Sequence, residues 1–202
     1  YGSLNAKKAV QTIIDGRYFQ GTVSNNGQKQ FSLTIPAGIK QLKISLVWND
    51  APAVPNSSKA LVNDLDIELV NATDNSIWLP WVLNAAPDST ALQQPPVRKR
   101  DSLNVVEQIT IDSPMAAPYI ITVKGVDIPS GAQDFSIAFQ LDSVDAFTWL
   151  FPTGSDHLTS GSSNIIRFES GFTSPLGLLE WSIDNGNTWQ TVSNSVDLSK
   201  GF

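Results

Sequence analysis

Carboxylates recur at the ends of strand-like segments, and their type and spacing could do chemistry. Asp50 closes one segment of alternating residues, and Asp64 and Asp66 open the next. A two-residue period places Asp64 and Asp66 on one face of a strand, opposite Leu65 and Ile67. Such close like charges repel one another unless a cation or hydrogen-bond donors lie between them.

A third oxygen-rich group follows at Asp101, Asn104 and Glu107. Calcium takes roughly six to eight oxygen ligands, which carboxylates and amides supply. Calcium is therefore a candidate cofactor, with the candidate ligands Asp50, Asp64, Asp66, Asn104 and Glu107. The alternative is structural, because Asp and Asn side chains also cap turns by accepting backbone N–H bonds. Both alternatives stay open at this point.

The groups needed for hydrolysis are missing from the sequence. A serine-protease triad needs a histidine as its general base, and the one histidine, His157, lies in a polar segment typical of a solvated loop. The chain has no Gly-x-Ser-x-Gly segment. A single histidine without cysteine also serves zinc poorly. We expect no catalytic residue in this chain.

An Asp box is predicted near the end of the chain, where residues 182–189 have the sequence SIDNGNTW. Asp and Ser side chains hold the turn of a β-hairpin in such a box, and the tryptophan packs beneath it. The residues that define the box are Ser182, Asp184, Gly186 and Trp189. The motif indicates a fold element and says little about function.

Six tryptophans raise the question of a ligand platform. Four of them lie at apolar-periodic positions or in the Asp box and are predicted to be in the core: Trp48, Trp149, Trp181 and Trp189. Trp78 and Trp81 follow no clear period. Two exposed rings could stack on a sugar or a peptide, so this pair is the candidate binding site. Ordinary burial is the alternative for both rings.

Composition limits the partners of the chain. Its 13 basic and 19 acidic residues give a net charge of -6, which does not attract nucleic acid or anionic membranes. The absence of cysteine excludes disulfides. No apolar run reaches the roughly 18 residues of a membrane span, so no membrane insertion is expected. No signal peptide opens the chain, which favours a piece of a longer polypeptide.

Hydrophobic periodicity predicts the elements. The apolar period is 3.6 over residues 6–14 and two thereafter, which predicts one helix, capped by Ser3 or Asn5, and then strands. A hairpin is expected at Asn26-Gly27, and a surface loop at 84–100. We predict an all-β protein with one short N-terminal helix: a jelly-roll antiparallel β-sandwich at 17–142 and a partial, truncated immunoglobulin-like β-sandwich at 146–202.

Several segments resemble a known family. Residues 1–10, YGSLNAKKAV, look like the last helix of the catalytic domain of subtilisin-like serine proteases, the subtilase family. The segments LVWNDAP (46–52), LVNDLD (61–66), NVVE (104–107) and QDFS (133–136) are similar to the β-sandwich that follows the protease in the oxidatively stable alkaline subtilases.

This resemblance covers residues 1–142 and implies a role for each part. Residues 1–16 would be the terminal helix of an upstream catalytic domain. The jelly roll would brace that protease and could hold calcium. The family's catalytic Gly-Thr-Ser-Met segment has no counterpart in the sequence.

We therefore expect a non-catalytic C-terminal accessory region of a secreted subtilisin-like serine endopeptidase, one that stabilises or positions the protease. Its partners would be the upstream protease domain and, indirectly, protein substrates. A secreted or cell-surface location and a bacterial origin are expected. The alternatives are a carbohydrate- or peptide-binding β-sandwich module and an adhesin repeat.

Overall fold

The computed structural model describes residues 5–201. Helix α1 spans Ala6–Ile14 and begins at Asn5, whose side chain accepts a hydrogen bond from the Lys8 amide at 2.9 Å. The chain leaves the helix through Gly16, which has a positive φ of 64°. The predicted helix and its Asn5 cap are confirmed. The other predicted cap, Ser3, lies outside the described residues.

Two four-stranded sheets form the first compact unit, which runs to Leu141. Sheet I has the order β1-β10-β3-β8, with the strands Tyr18–Val23, Gln133–Ser143, Ile39–Trp48 and Val106–Asp112. Sheet II has the order β2-β9-β4-β5, with the strands Gln28–Thr34, Pro118–Asp127, Asp64–Asn71 and Ile77–Trp78. This alternation of strands between two sheets is that of a jelly roll, so the all-β prediction is confirmed.

The core lies where the two-residue period placed it. Alternate side chains of β3 and β4 are completely or almost completely buried, namely Leu42, Ile44, Leu46, Leu65, Ile67 and Leu69. Burying each of these side chains stabilises the fold by about 1.5–3 kcal/mol relative to exposure. Residues from β8, β9 and β10 complete the same cluster.

The predicted hairpin at Asn26-Gly27 is wrong, although the turn itself is present. Gly27 donates to the Ser24 carbonyl at 2.9 Å, and Asn26 has a φ of 57°. Strands β1 and β2 nevertheless belong to different sheets. The turn is bonded instead to Gly125 of β9, where a side chain would collide with the Ser24 carbonyl. Pairing with β10 and β9 therefore outweighs the local hairpin signal.

The region between β5 and β8 is mostly exposed, as the predicted surface loop requires. It contains the strand pair β6 (Trp81–Val82) and β7 (Val97–Arg98), and one short helix, α2 (Ser89–Leu92). In residues 5–201, neither helix has the length and apolar character needed to cross a bilayer.

The second compact unit begins at Asp142 and contains two two-stranded antiparallel sheets. One pairs β11 with β12, and the other pairs β13 with β14, with the strands Phe147–Phe151, Arg167–Ser170, Leu176–Trp181 and Gln190–Asp197. The immunoglobulin-like identity of this unit stays a prediction.

Three tryptophans predicted to be buried are exposed. Trp149, Trp181 and Trp189 keep 42%, 49% and 59% of their surface accessible, whereas Trp48 keeps 3%. The prediction is wrong for the three in the second unit because alternation identifies a strand face, and burial requires a second layer to cover that face. Trp48 has such a layer in the sandwich.

Candidate functional site

A carboxylate cluster, formed by Asp64, Asp66 and Glu107, lies in the first unit. Strand β4 carries Asp64 and Asp66 on the face opposite its core residues, and Glu107 comes from β8 of the other sheet. Glu107 has no exposed surface, and its Oε2 accepts a hydrogen bond from the Ile67 amide at 2.8 Å. Strand β5 pairs only with Leu69 and Val70 of β4. The Glu107 carboxylate therefore accepts a hydrogen bond from the Ile67 amide, which β5 does not pair.

Basic side chains neutralise part of this cluster. Arg100 contacts Asp64 Oδ2 through Nη2 at 3.0 Å and Asp66 Oδ2 through Nε at 2.6 Å. Lys59 Nζ lies 3.4 Å from the same Asp64 oxygen. One guanidinium thus bridges two aspartates that the sequence placed on one face, a geometry suited to the planar fork of arginine.

Three buried carboxylate oxygens have no hydrogen-bond partner among the described residues: Asp64 Oδ1, Asp66 Oδ1 and Glu107 Oε1. Asp101 is also buried, and its charge acts on Glu107. Buried ionised groups without a partner are strongly unfavourable away from water.

Burial opposes this charge by raising two pKa values. Desolvation, with the neighbouring Asp66, Asp101 and Asp64 adding to it, raises the pKa of Glu107 to about 9. Desolvation also raises the pKa of Asp66 to about 6, against the lowering effect of the Arg100 charge. Glu107 is therefore protonated at neutral pH unless a cation enters the cluster.

The other predicted calcium ligands act as caps. Asp50 accepts hydrogen bonds from the amides of Ala51, Val62 and Asn63 at 2.7–2.9 Å. It thereby closes the loop that joins β3 to β4. These bonds are those of the capping role that the sequence offered as the alternative to calcium binding by Asp50.

Asp101 and Asn104 cap the turn that leads into β8. Asp101 accepts from the Leu103 amide at 2.9 Å and from Asn104 Nδ2 at 2.7 Å. Within residues 5–201, no group of three or more His, Cys, Asp or Glu side chains has the arrangement of a metal site. Calcium therefore stays a prediction, and its candidate ligands with partnerless oxygens are Asp64, Asp66 and Glu107.

The Asp box forms a fully bonded turn in the second unit. Ser182 donates to Asp184 Oδ1 at 2.7 Å, and the same oxygen accepts from the Thr188 amide at 2.8 Å. Trp189 Nε1 donates to the Gly186 carbonyl at 3.0 Å. Hydrogen bonds from Thr188 and Ser182 lower the pKa of Asp184 to about 2. The box stabilises its own turn and leaves its tryptophan ring largely exposed.

The candidate binding pair, Trp78 and Trp81, is half-buried and engaged by the fold. The Trp78 ring lies 5.8 Å from the Tyr119 ring, centroid to centroid. Trp81 Nε1 donates to Thr110 Oγ1 at 2.7 Å, and the Arg98 guanidinium lies 4.1 Å above its ring. Ligand binding by this pair stays a prediction, and these contacts favour the structural alternative.

An open groove of about 790 Å³ lies where β1, β3 and β10 meet. Its polar lining includes Gln20, Thr22, Asn49, Asp134 and Ser136. The two aromatic residues beside it, Trp48 and Phe135, are buried. The groove thus offers hydrogen-bonding groups without an exposed ring for stacking.

Sequence reasoning missed Arg100 and Lys59. Both lie in irregular segments, and Arg100 is 36 residues from the aspartate it binds. The signal that could have found them is the need of Asp64 and Asp66 for a basic partner once they are buried. The basic segment 98–100 offers such a partner.

Part of this chain is similar to a protein named as a serine protease. No protein-family model matches. The chain is 35% identical over 106 residues to the serine protease/ABC transporter B family protein tagB of Dictyostelium discoideum, an alignment that covers 52% of this chain and 5% of the relative. The chain therefore spans a small fraction of that relative's length.

Solved structures also match this chain, among them two with low overall similarity to it. The lipase BlEst2 of Bacillus licheniformis, in its propeptide form, has a TM-score of 0.37 and 15% identity, covering 63% of this chain and 22% of the lipase. A protein from Sulfurospirillum deleyianum has a TM-score of 0.32 and 9% identity, covering 61% of this chain and 97% of that protein.

Proposed function

We propose that this chain is the non-catalytic accessory region of a secreted subtilisin-like serine endopeptidase and that it stabilises or positions the protease. The match to a protein named as a serine protease supports an association with proteolysis. The observation that carries the proposal is helix α1, whose apolar face is left uncovered by the described residues 5–141 of its own unit.

Helix α1 is amphipathic but buries no residue. Val10, Ile13 and Ile14 keep 57%, 68% and 70% of their surface exposed. A nine-residue helix is too short to be stable in water without packing on another surface. A catalytic domain that precedes the sandwich in the same polypeptide is the cover that we propose.

The first test concerns catalysis by the chain alone. Purified chain should cleave neither casein nor fluorogenic peptides, and a fluorophosphonate probe should label no serine. Subtilisin assayed in parallel shows that each assay works. Labelling that disappears in a single serine variant would contradict the non-catalytic assignment.

The second test concerns stabilisation. In a polypeptide that joins a subtilisin-like catalytic domain to this chain, Ile13→Ser with Ile14→Ser should shorten the half-life of protease activity at elevated temperature. Lys7→Ser with Gln11→Ser, on the polar face of α1, is the matched control. Equal half-lives for the two double variants would refute the proposed contact.

Calcium binding at the carboxylate cluster is a second proposal. The three buried carboxylate oxygens without a hydrogen-bond partner among the described residues favour a divalent cation there. A ligand that binds only the folded state raises its stability with concentration. The melting temperature should therefore rise in calcium relative to chelator, and Glu107→Gln should abolish that rise, while the exposed Glu180→Gln should keep it. Superimposable wild-type melting curves in calcium and in chelator would refute the proposed calcium site.

A further inference from the structure

Two Asn-x-Ser/Thr triplets occur in the chain, NSS at residues 56–58 and NAT at residues 71–73. The asparagine of this triplet accepts N-linked glycans in exported proteins when the middle residue is not proline. The pattern is short and recurs by chance, so the surroundings of each asparagine decide whether it can carry a glycan.

Asn56 lies in an exposed turn. The Ser57 amide donates to the Val54 carbonyl at 3.1 Å, and Asn56 has a φ of 64°. With Pro55 before it, this is the pattern of a type II turn, in which the asparagine side chain projects from the loop. Asn56, Ser57 and Ser58 are all exposed. Among residues 5–201, the Asn56 side chain has no hydrogen-bond partner.

The loop that carries Asn56 is fixed at its base. Asp50 binds the amides of Val62 and Asn63 where the loop ends, so a bulky addition at Asn56 leaves these bonds intact. Lys59 in the same loop is held 3.4 Å from Asp64.

Asn71 has the opposite surroundings. It is 1% exposed, and its Oδ1 accepts from the Thr73 amide at 2.8 Å. Its Nδ2, the atom that would carry a sugar, lies 3.8 Å from the sulfur of Met115. A glycan on this nitrogen is incompatible with the folded sandwich.

We propose that Asn56 is an N-glycan acceptor and that Asn71 carries no glycan in the folded, secreted protein. The inference rests on the extracellular location that belongs to the proposed function. It takes the chain to be exported through a eukaryotic secretory pathway, in place of the bacterial origin expected from the sequence. The co-reactant is a lipid-pyrophosphate-linked oligosaccharide. Asn56 Nδ2 bonds to the anomeric carbon, the carbon–oxygen bond to pyrophosphate breaks with its electron pair leaving on the phosphate, and the amide loses one proton.

In the experiment, yeast cells secrete the whole chain, and its intact mass is measured before and after treatment with peptide-N-glycosidase. The wild type should lose the mass of one glycan, and the released site should appear as Asp at position 56. Asn56→Gln and Ser58→Ala should carry no glycan. Thr73→Ala, which keeps the Thr73 amide bond to Asn71, should carry one glycan like the wild type.

An unmodified wild type, or a glycan that persists in Asn56→Gln, would overturn the inference. The protease half-life test separates this outcome from the proposed function. If the chain carries no glycan but still stabilises the protease, only the assignment of Asn56 is refuted.

Discussion

The two compact units are both built from antiparallel strands, yet they differ in what their sheets cover. In the first unit, two sheets face each other and Leu46 and Ile121 have no exposed surface. In the second unit, Leu178 and Trp189 remain 58% and 59% exposed, and Phe168 is the single large apolar residue that is buried among those described. Strand pairing alone therefore does not make a core, which requires a second layer on the apolar face.

The acids of the two units differ in the same sense. Glu107 is enclosed by the sandwich, and its pKa rises to about 9 because its charged form loses water. Asp184 lies in an exposed turn, and its pKa falls to about 2 because hydrogen bonds from Thr188 and Ser182 favour the charged form. The pKa of a carboxyl group thus rises where desolvation dominates and falls where hydrogen bonds to its charged form dominate.

The largest expected effect lies in the core of the first unit. Ile121→Ala should lower the free energy of unfolding by about 2–5 kcal/mol, because it leaves a cavity between the two sheets. Leu178→Ala, its counterpart in the second unit, should change it by less than about 0.5 kcal/mol. Urea unfolding curves for both variants would check this contrast. A similar loss in both would show that the second unit has a covered apolar face.

The next effect separates an arginine paired with two largely buried aspartates from an ion pair that is exposed on both sides. Arg100→Ala leaves Asp64 and Asp66 without their guanidinium and should lower the unfolding free energy by about 1–3 kcal/mol. Lys200→Ala, which removes the exposed pair with Asp197, should change it by less than about 0.5 kcal/mol. Urea titrations at low and high salt measure both. Equal losses would mean that Arg100 is effectively solvated.

The burial of Glu107 also makes stability in chelator depend on pH. The pKa of Glu107 is about 9 in the folded state and 4.5 ordinarily, so the folded state binds more protons between these values. Stability should therefore be highest below pH 4.5 with respect to this group, and it should fall as the pH rises towards 9. Asp66 adds to the fall between pH 3.8 and about 6.

The variant Glu107→Gln isolates that contribution, since the amide stays neutral at every pH. Its unfolding free energy should decline less than that of the wild type between pH 5 and 9. Parallel pH profiles for the two proteins would show that Glu107 does not change its protonation on unfolding.

The smallest effect is expected at the Asp box. The folded-state pKa of Asp184, about 2 against an ordinary 3.8, means that its contribution is present above pH 3.8 and is lost as the pH falls through 2. Trp189 NMR shifts should therefore titrate in acid, and Asp184→Asn should remove that titration. Retention of the acid transition in Asp184→Asn would assign it to another group.

Sequence periodicity predicts the strands well because burial repeats every second residue in β3 and β4. It also predicts that Asp64 and Asp66 share a face. It does not reveal Arg100, because a loop residue has no period and its partner is chosen by three-dimensional proximity. The burial of Glu107 is likewise set by the opposite sheet, which no local pattern encodes.

Strand allocation is the other limit of sequence reasoning. Asn26-Gly27 is a strong hairpin signal, but long-range pairing of β1 with β10 and of β2 with β9 decides the topology. The predicted burial of the second unit's tryptophans is wrong for a similar reason. The local pattern identifies their strands, but it does not show whether a second layer covers them.

The register of β1 has a consequence for how the polypeptide matures during translation. Tyr18 pairs with Ala138 and Val23 with Gln133, so an early strand waits for one made more than a hundred residues later. Such high contact order slows folding, because loop-closure entropy is lost before the contacts are gained. The emerging chain must therefore keep its apolar strands from aggregating until β10 has left the ribosome, a period in which chaperones would have the most to bind.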